Sequence, residues 1–129
     1  MPYTLQVTEA EISARESYVN AKGNTECVEC VRQTTAAPAT FRWHPGQHVQ
    51  EAKLGQIARG TAIATFDDKG RYPNDGKGRH AAIYLSHDKT GIVVLDQWNS
   101  KGKVSRRTIR FNTKSYSRSN EGTTFYVIE

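Results

Sequence analysis

Between Thr61 and Ile128 the apolar residues fall into five short runs, and that spacing constrains the fold more than any other feature of the chain. The runs are Thr61–Phe66, His80–Leu85, Gly91–Trp98, Val104–Phe111 and Thr123–Ile128. Each has period two or a short continuous apolar stretch, and turn-forming residues separate them. Such runs read as strands, and five in succession make an antiparallel sheet or a small barrel. Upstream the period changes. Thr8 with Glu11 forms a capping box, and Ile12, Ala14, Tyr18 and Val19 recur at near-helical spacing, which predicts a helix ending at Lys22-Gly23. Asn24 or Thr25 can cap a second helix over Glu26–Gln33, with Cys27, Cys30 and Val31 on one face and Cys27 in its first turn. Residues 36–60 hold Pro38, Pro45 and several glycines, and read as loop with a short helical or turn segment near Gln47–Leu54. Helices first and strands after is an α+β order.

At 129 residues the chain fits one domain, 1–129, with one active site. With 36% hydrophobic residues it can build a core despite a mean hydropathy of −0.68, which excludes a disordered chain. Eighteen Lys and Arg against 13 acids give a net charge of +5, a field that attracts polyanions such as nucleic acid, anionic lipid or anionic wall polymers without naming a substrate. Arg106, Arg107 and Arg110 lie on a strand-like segment and read as a solvated face. The N-terminal Met1-Pro-Tyr-Thr-Leu-Gln has neither the basic nor the apolar segment of an export signal, and no stretch approaches the ~18 apolar residues of a spanning helix. The expectation is a protein made in the cytoplasm, without membrane insertion, that something other than an N-terminal signal carries outward.

Cys27 and Cys30 do not make a disulfide framework, so at least one should act as a thiol. A helix N-terminus favours the thiolate through its unpaired amides and its dipole, and Cys27 sits where that effect operates. A histidine at the head of a neighbouring strand can serve as base to such a thiol while its other nitrogen meets an orienting group. His80 and Asp96 occupy suitable positions on consecutive strands. On a strand Asp96 and Trp98 face one way and Gln97 the other, so a shift of one residue would move the orienting role to Gln97. The Cys27 backbone amide is the natural first donor to an oxyanion, with Asn24 or Tyr18 as candidates for the second. Trp43, Tyr72 and Trp98 are candidates to line a substrate groove.

Glu26-Cys27-Val28-Glu29-Cys30-Val31 on a helix, then Gly78-Arg79-His80-Ala81-Ala82-Ile83-Tyr84-Leu85, then Gly91 through Asp96-Gln97-Trp98-Asn99, resemble the cysteine- and histidine-dependent amidohydrolase/peptidase (CHAP) pattern. Pro38 to Gly46, Gly60 to Phe66 and Gly70 to Gly76 are also similar to a compact group of bacterial amidases linked to type VI secretion. The resemblance spans about residues 24–128. It implies a papain-like α+β fold, N-terminal helices on an antiparallel five- or six-stranded sheet or half-barrel. It also implies Cys27 as nucleophile, His80 as base and Asp96 as orienter, with no cofactor and no metal. The expected substrate is the peptide part of peptidoglycan, reached in the periplasm of target bacteria through a contact-dependent secretion apparatus. A cognate immunity protein is the expected partner, and nucleic acid is not.

Three other readings fit parts of the sequence. Cys27, Cys30, His44 and His48 have the spacing of a Cys2His2 zinc site, which with the basic charge would make a nucleic-acid-binding protein. Pro45-Gly46 between the histidines breaks the helix such a site needs, and the cysteines fall in a helix instead of a knuckle. A Cys27/Cys30 redox pair would need a strand before the motif and a βαβ arrangement, so Cys30 reads as a packed residue on the inner helix face. A hydrolase-like fold retained for binding alone is the third. His44, His48 and His87 read as solvent-facing.

Overall fold

The computed structural model describes residues 1–129. Its two helices are α1, Glu9–Arg15, and α2, Cys27–Thr34; its six strands are β1, Pro45–His48, β2, Ala62–Thr65, β3, Ala81–His87, β4, Gly91–Asp96, β5, Ser105–Arg110, and β6, Phe125–Ile128. The strands form one open antiparallel sheet in the order β1-β6-β2-β3-β4-β5, so the architecture is α+β and not a closed barrel. No helix is long and apolar enough to cross a membrane.

Strands β2, β3 and β4 lie inside the sheet and are buried on both faces, which explains continuous apolar runs where a half-exposed strand would alternate. One face carries Ala62, Ala64, Ala81, Ile83 and Leu95 against Ile12, Cys30 and Val31 of the helices. Small alanines on β2 and β3 let α2 approach closely. The other face carries Ile63, Ala82, Tyr84, Val94, Ile109 and Phe125, covered by Val49, Ala52 and Ile57 from the segment between β1 and β2. Each fully buried Ile or Phe side chain is worth roughly 1.5–3 kcal/mol of transfer free energy.

Two elements differ from the sequence expectation. The first helix stops at Arg15, with Glu16 at φ 72°, instead of continuing to Lys22-Gly23. Thr8 does cap it, accepting from the Glu11 amide at 3.1 Å. The cause of the early end is tertiary: the buried Gln97 side chain accepts from the Tyr18 N–H at 3.0 Å and donates to the Tyr18 carbonyl at 2.7 Å. Those groups would otherwise make helical bonds. The second difference is β1, in a stretch where the sequence predicts loop. Pro45 has no N–H to give, but β1 is an edge strand whose first residue needs none, and His44 and Glu129 exchange both backbone bonds at 2.7 Å beside it. The predicted turn segment near Gln47–Leu54 survives only as turns after β1.

Candidate active site

Helix α2 begins at Cys27 with Glu26 as its N-cap, and neither Asn24 nor Thr25 caps it. Thr25 instead donates its hydroxyl to the Trp98 carbonyl at 3.2 Å, and Gln97 donates to the Glu26 carbonyl at 2.8 Å. Both bonds fix the start of α2 against the end of β4, which sets the half-buried Cys27 before the head of β3. The Cys27 N–H has no hydrogen-bond partner, as expected of the first turn of a helix.

His80 stands just ahead of β3, its backbone tied to Thr65 by two bonds of 3.0 Å. The β3–β4 register pairs Ile83 with Leu95, so Asp96 is a diagonal neighbour of His80 on the same face while Gln97 points to the helices. His80 Nε2 meets Asp96 Oδ2 at 2.7 Å, which leaves the other ring nitrogen, Nδ1, free on the side of the cleft that Cys27 and His80 both line. Asp96 is wholly buried and also accepts from Arg107 Nε at 2.7 Å and Lys101 Nζ at 3.2 Å. Trp98 covers this cluster, with Lys101 3.9 Å and Arg107 5.0 Å from its ring centroid.

Electrostatics follow from these contacts. Burial opposes the Cys27 thiolate, yet the hydrogen bond and charge of His80, then the Ala81 amide and Tyr72, hold its pKa below the ordinary thiol value. Burial likewise opposes the imidazolium, yet bonds to Asp96 and Cys27 and their charges push His80 up to about 9. Asp96 is depressed despite its burial by His80 and Arg107. Cys30 goes the other way: burial, with the charges of Asp96 and Cys27, pushes it up to about 12. A thiolate–imidazolium pair braced by a carboxylate can attack a carbonyl and then protonate a leaving amine.

A cleft of ≈690 Å³ opens over this group, lined by Cys27, His80, Tyr72, Trp98 and Arg107 among others. Tyr72 lies 3.7 Å through its hydroxyl from Cys27 Sγ and is braced edge-on by Trp43 at 5.0 Å between ring centroids. Burial and the neighbouring Cys27 push the Tyr72 phenol well above its usual range, so it keeps its proton.

A model of the family described as "Domesticated amidase effector 2" matches residues 4–128. The chain belongs to that family. Among its relatives, the type VI secretion amidase effector 2 protein of Salmonella typhi is 37% identical over 113 residues, 85% of this chain and 80% of that one. The domesticated amidase effector 2 of Ixodes scapularis is 43% identical over 107 residues, 81% of this chain and 70% of the relative. A solved type 6 secretion amidase effector 2 structure superposes with a TM-score of 0.75 at 32% identity, covering 95% of this chain and 94% of its own. This amidase effector is thus an amide-bond hydrolase by family, on the papain-like α+β fold the sequence pattern implied.

The structure brings together Cys27, His80, Asp96, Tyr72 and Trp98, and leaves other candidates outside. Asn24 is exposed and bonded to Asn20, and Tyr18 is buried with Arg15 over its ring; neither lines the cleft. Trp43 is 2% exposed, its indole N–H bound to the Pro38 carbonyl, so it supports Tyr72 from within the core and is not a groove wall. The four zinc candidates do not converge: Cys27 shares a cleft with His80, Cys30 is in the core, His48 bonds Glu51 and the Thr123 carbonyl, and no group of three ligand-type side chains is placed to hold a metal ion. His87 is buried, not solvent-facing, between the Tyr84 hydroxyl at 2.6 Å and the Ala52 carbonyl at 2.8 Å, and His48 is half-buried; His44 alone is exposed. Lys101 carries no signal in the sequence, and Arg107, expected with Arg106 and Arg110 on a solvated face, instead turns inward onto Asp96. Arg107 shares strand parity with the buried Ile109, a signal that it points inward.

Proposed function

We propose that this amidase effector is a cysteine hydrolase that cuts amide bonds in the peptide part of peptidoglycan, with residues 1–129 acting as one catalytic domain. The observation that carries the reading is that Cys27, at the start of α2, and His80, whose Nε2 is bonded to the buried Asp96, line the same open cleft. In the proposed sequence the Cys27 thiolate attacks the carbonyl carbon and the C=O electron pair moves to oxygen. The tetrahedral adduct collapses with loss of the C–N bond, and His80 gives its Nδ1 proton to the leaving amine. Water, deprotonated by His80, then hydrolyses the thioester and restores the thiol. Asp96 keeps the ring oriented and favours its charged form, while Arg107 and Lys101 keep Asp96 ionised.

The free Cys27 N–H is one donor to the oxyanion. Tyr72 is proposed as the second in place of Asn24 and Tyr18: its hydroxyl retains a proton, and a group 3.7 Å from the sulfur is within reach of an oxygen on the carbon that the sulfur attacks. The names of the bacterial relatives support delivery by type VI secretion into target cells, and a periplasmic wall substrate, with a cognate immunity protein that covers the Cys27 cleft, completes the proposal. No cofactor takes part in it.

Purified sacculi incubated with wild type and with Cys27→Ala, followed by mass separation of the fragments, test the reading. Fragments released by wild type alone are expected; equal digestion by both proteins would sink it. Lysis of a host only when the protein carries a periplasmic signal supports the wall substrate, and toxicity from the cytoplasm argues for another target.

A further inference from the structure

The cleft carries more positive charge than its chemistry uses. Three arginines line it, Arg32, Arg79 and Arg107, against one acid, Glu26. Arg107 is committed to Asp96. Arg32 and Arg79 are exposed, have no carboxylate within 4.0 Å and make no side-chain hydrogen bond, a state they share with Arg42, Arg71, Arg106 and Arg110; what sets them apart is that they line the cleft beside Cys27. The two free guanidinium groups come from separate walls. Arg32 follows Val28 by one helical turn of α2, and both line the cleft beside Cys27. Arg79 directly precedes His80 and sits 5.8 Å from the centroid of the Tyr72 ring, the ring whose hydroxyl reaches Cys27.

We infer that Arg32 and Arg79 form a carboxylate-binding subsite that selects amide substrates bearing a free carboxylate beside the scissile bond. The inference rests on the cysteine hydrolase reading for the position of that bond. A guanidinium presents paired N–H donors in a plane that matches a carboxylate, and a cation with no partner at a catalytic cleft gains a charge-assisted bond only when such a substrate arrives. Wall stem peptides are acidic, and amidation removes the charge without changing their shape. The subsite would therefore separate acidic stems from amidated ones by their chemistry. Arg79 acts on binding, since it meets the substrate through a group that does not change charge during the reaction, so its effect belongs in KM and not in kcat.

Two synthetic stem peptides, identical except for a free carboxylate or a carboxamide on the residue flanking the cleaved bond, provide the test. Binding is measured by calorimetry to Cys27→Ala, with and without Arg32→Gln and Arg79→Gln added; turnover is measured with the native thiol and the same arginine changes. The free carboxylate should bind about 10- to 100-fold tighter than the carboxamide, the scale of a bond to a charged group. The double arginine change should bring that ratio close to one, with KM for the carboxylate peptide rising by the same factor and kcat on it little changed. Equal binding of the two peptides, or a ratio that persists without both arginines, overturns the subsite. Turnover of either peptide by Cys27→Ala overturns the hydrolase reading alone, since the binding ratio is measured independently of the chemistry.

Discussion

Gln97 offers a prediction whose size can be worked from its contacts. It is fully buried, accepts from the Tyr18 N–H at 3.0 Å, and donates to the carbonyls of Tyr18 at 2.7 Å and Glu26 at 2.8 Å. Gln97→Leu keeps nearly the same volume and removes all three bonds. The Glu26 carbonyl still accepts from the Glu29 N–H at 3.0 Å, so the heavier cost falls on the two Tyr18 groups, which have no other partner. A buried backbone group left unpaired costs about 1–3 kcal/mol, so the substitution should destabilise the fold by roughly 3–5 kcal/mol. That is a large part of the ~5–15 kcal/mol a domain has. Urea unfolding of both proteins, compared at equal slope, reads the difference directly. Since Gln97 also ties the start of α2 to β4, the folded fraction should react more slowly with a thiol reagent at Cys27. A loss below about 1 kcal/mol would refute the reasoning, because it would mean water satisfies the segment after α1 as well as the Gln97 amide does.

Other expectations are equally direct. Asp96→Asn should cut kcat by about 10²–10⁴ by removing the group that orients and charges His80, with a smaller change in KM. In steady-state kinetics, an unchanged kcat would contradict the role given to Asp96. His80 is held above its unfolded value of 6.5 to about 9. Its contribution to stability is therefore fully present below about pH 6.5 and is lost as pH rises through about 9. Melting temperatures across that window should fall more steeply for wild type than for His80→Ala. Because Cys27 is depressed and Cys30 is raised to about 12, iodoacetamide near neutral pH should add one adduct per native chain, and none to Cys27→Ala; intact mass counts them.

What could be read from the sequence depended on whether the cause was local. The five runs after Thr61 all became strands, because β2 to β4 are buried on two faces and their apolar continuity reports that burial. Cys27 at a helix start, His80 at a strand start and Asp96 at the next strand's end follow from periodicity, whereas the choice between Asp96 and Gln97 needed the observed register, which turns Asp96 to His80 and Gln97 to Tyr18. The early end of α1 did not, since it depends on a side chain 79 positions from Tyr18 in sequence. Edge strand β1 was hidden by Pro45-Gly46, a pair that usually breaks structure and is tolerated only where no neighbour needs the missing N–H. Tyr72 sits in an aperiodic loop, so nothing local signals that its hydroxyl meets Cys27, nor that Trp43 braces it from the core. Arg107 was readable through its parity with Ile109 and was hidden only by grouping it with its exposed neighbours.

The proposed mechanism requires a covalent bond between Cys27 and the substrate acyl group. Acid quenching of the enzyme during turnover of a wall stem peptide, followed by intact mass and fragment mapping, looks for that bond. The expected result is a mass increase equal to the acyl part of the substrate, located on the peptide containing Cys27, with neither adduct nor turnover for Cys27→Ala. Turnover with no adduct, by a Cys27→Ala protein as active as wild type, would contradict it.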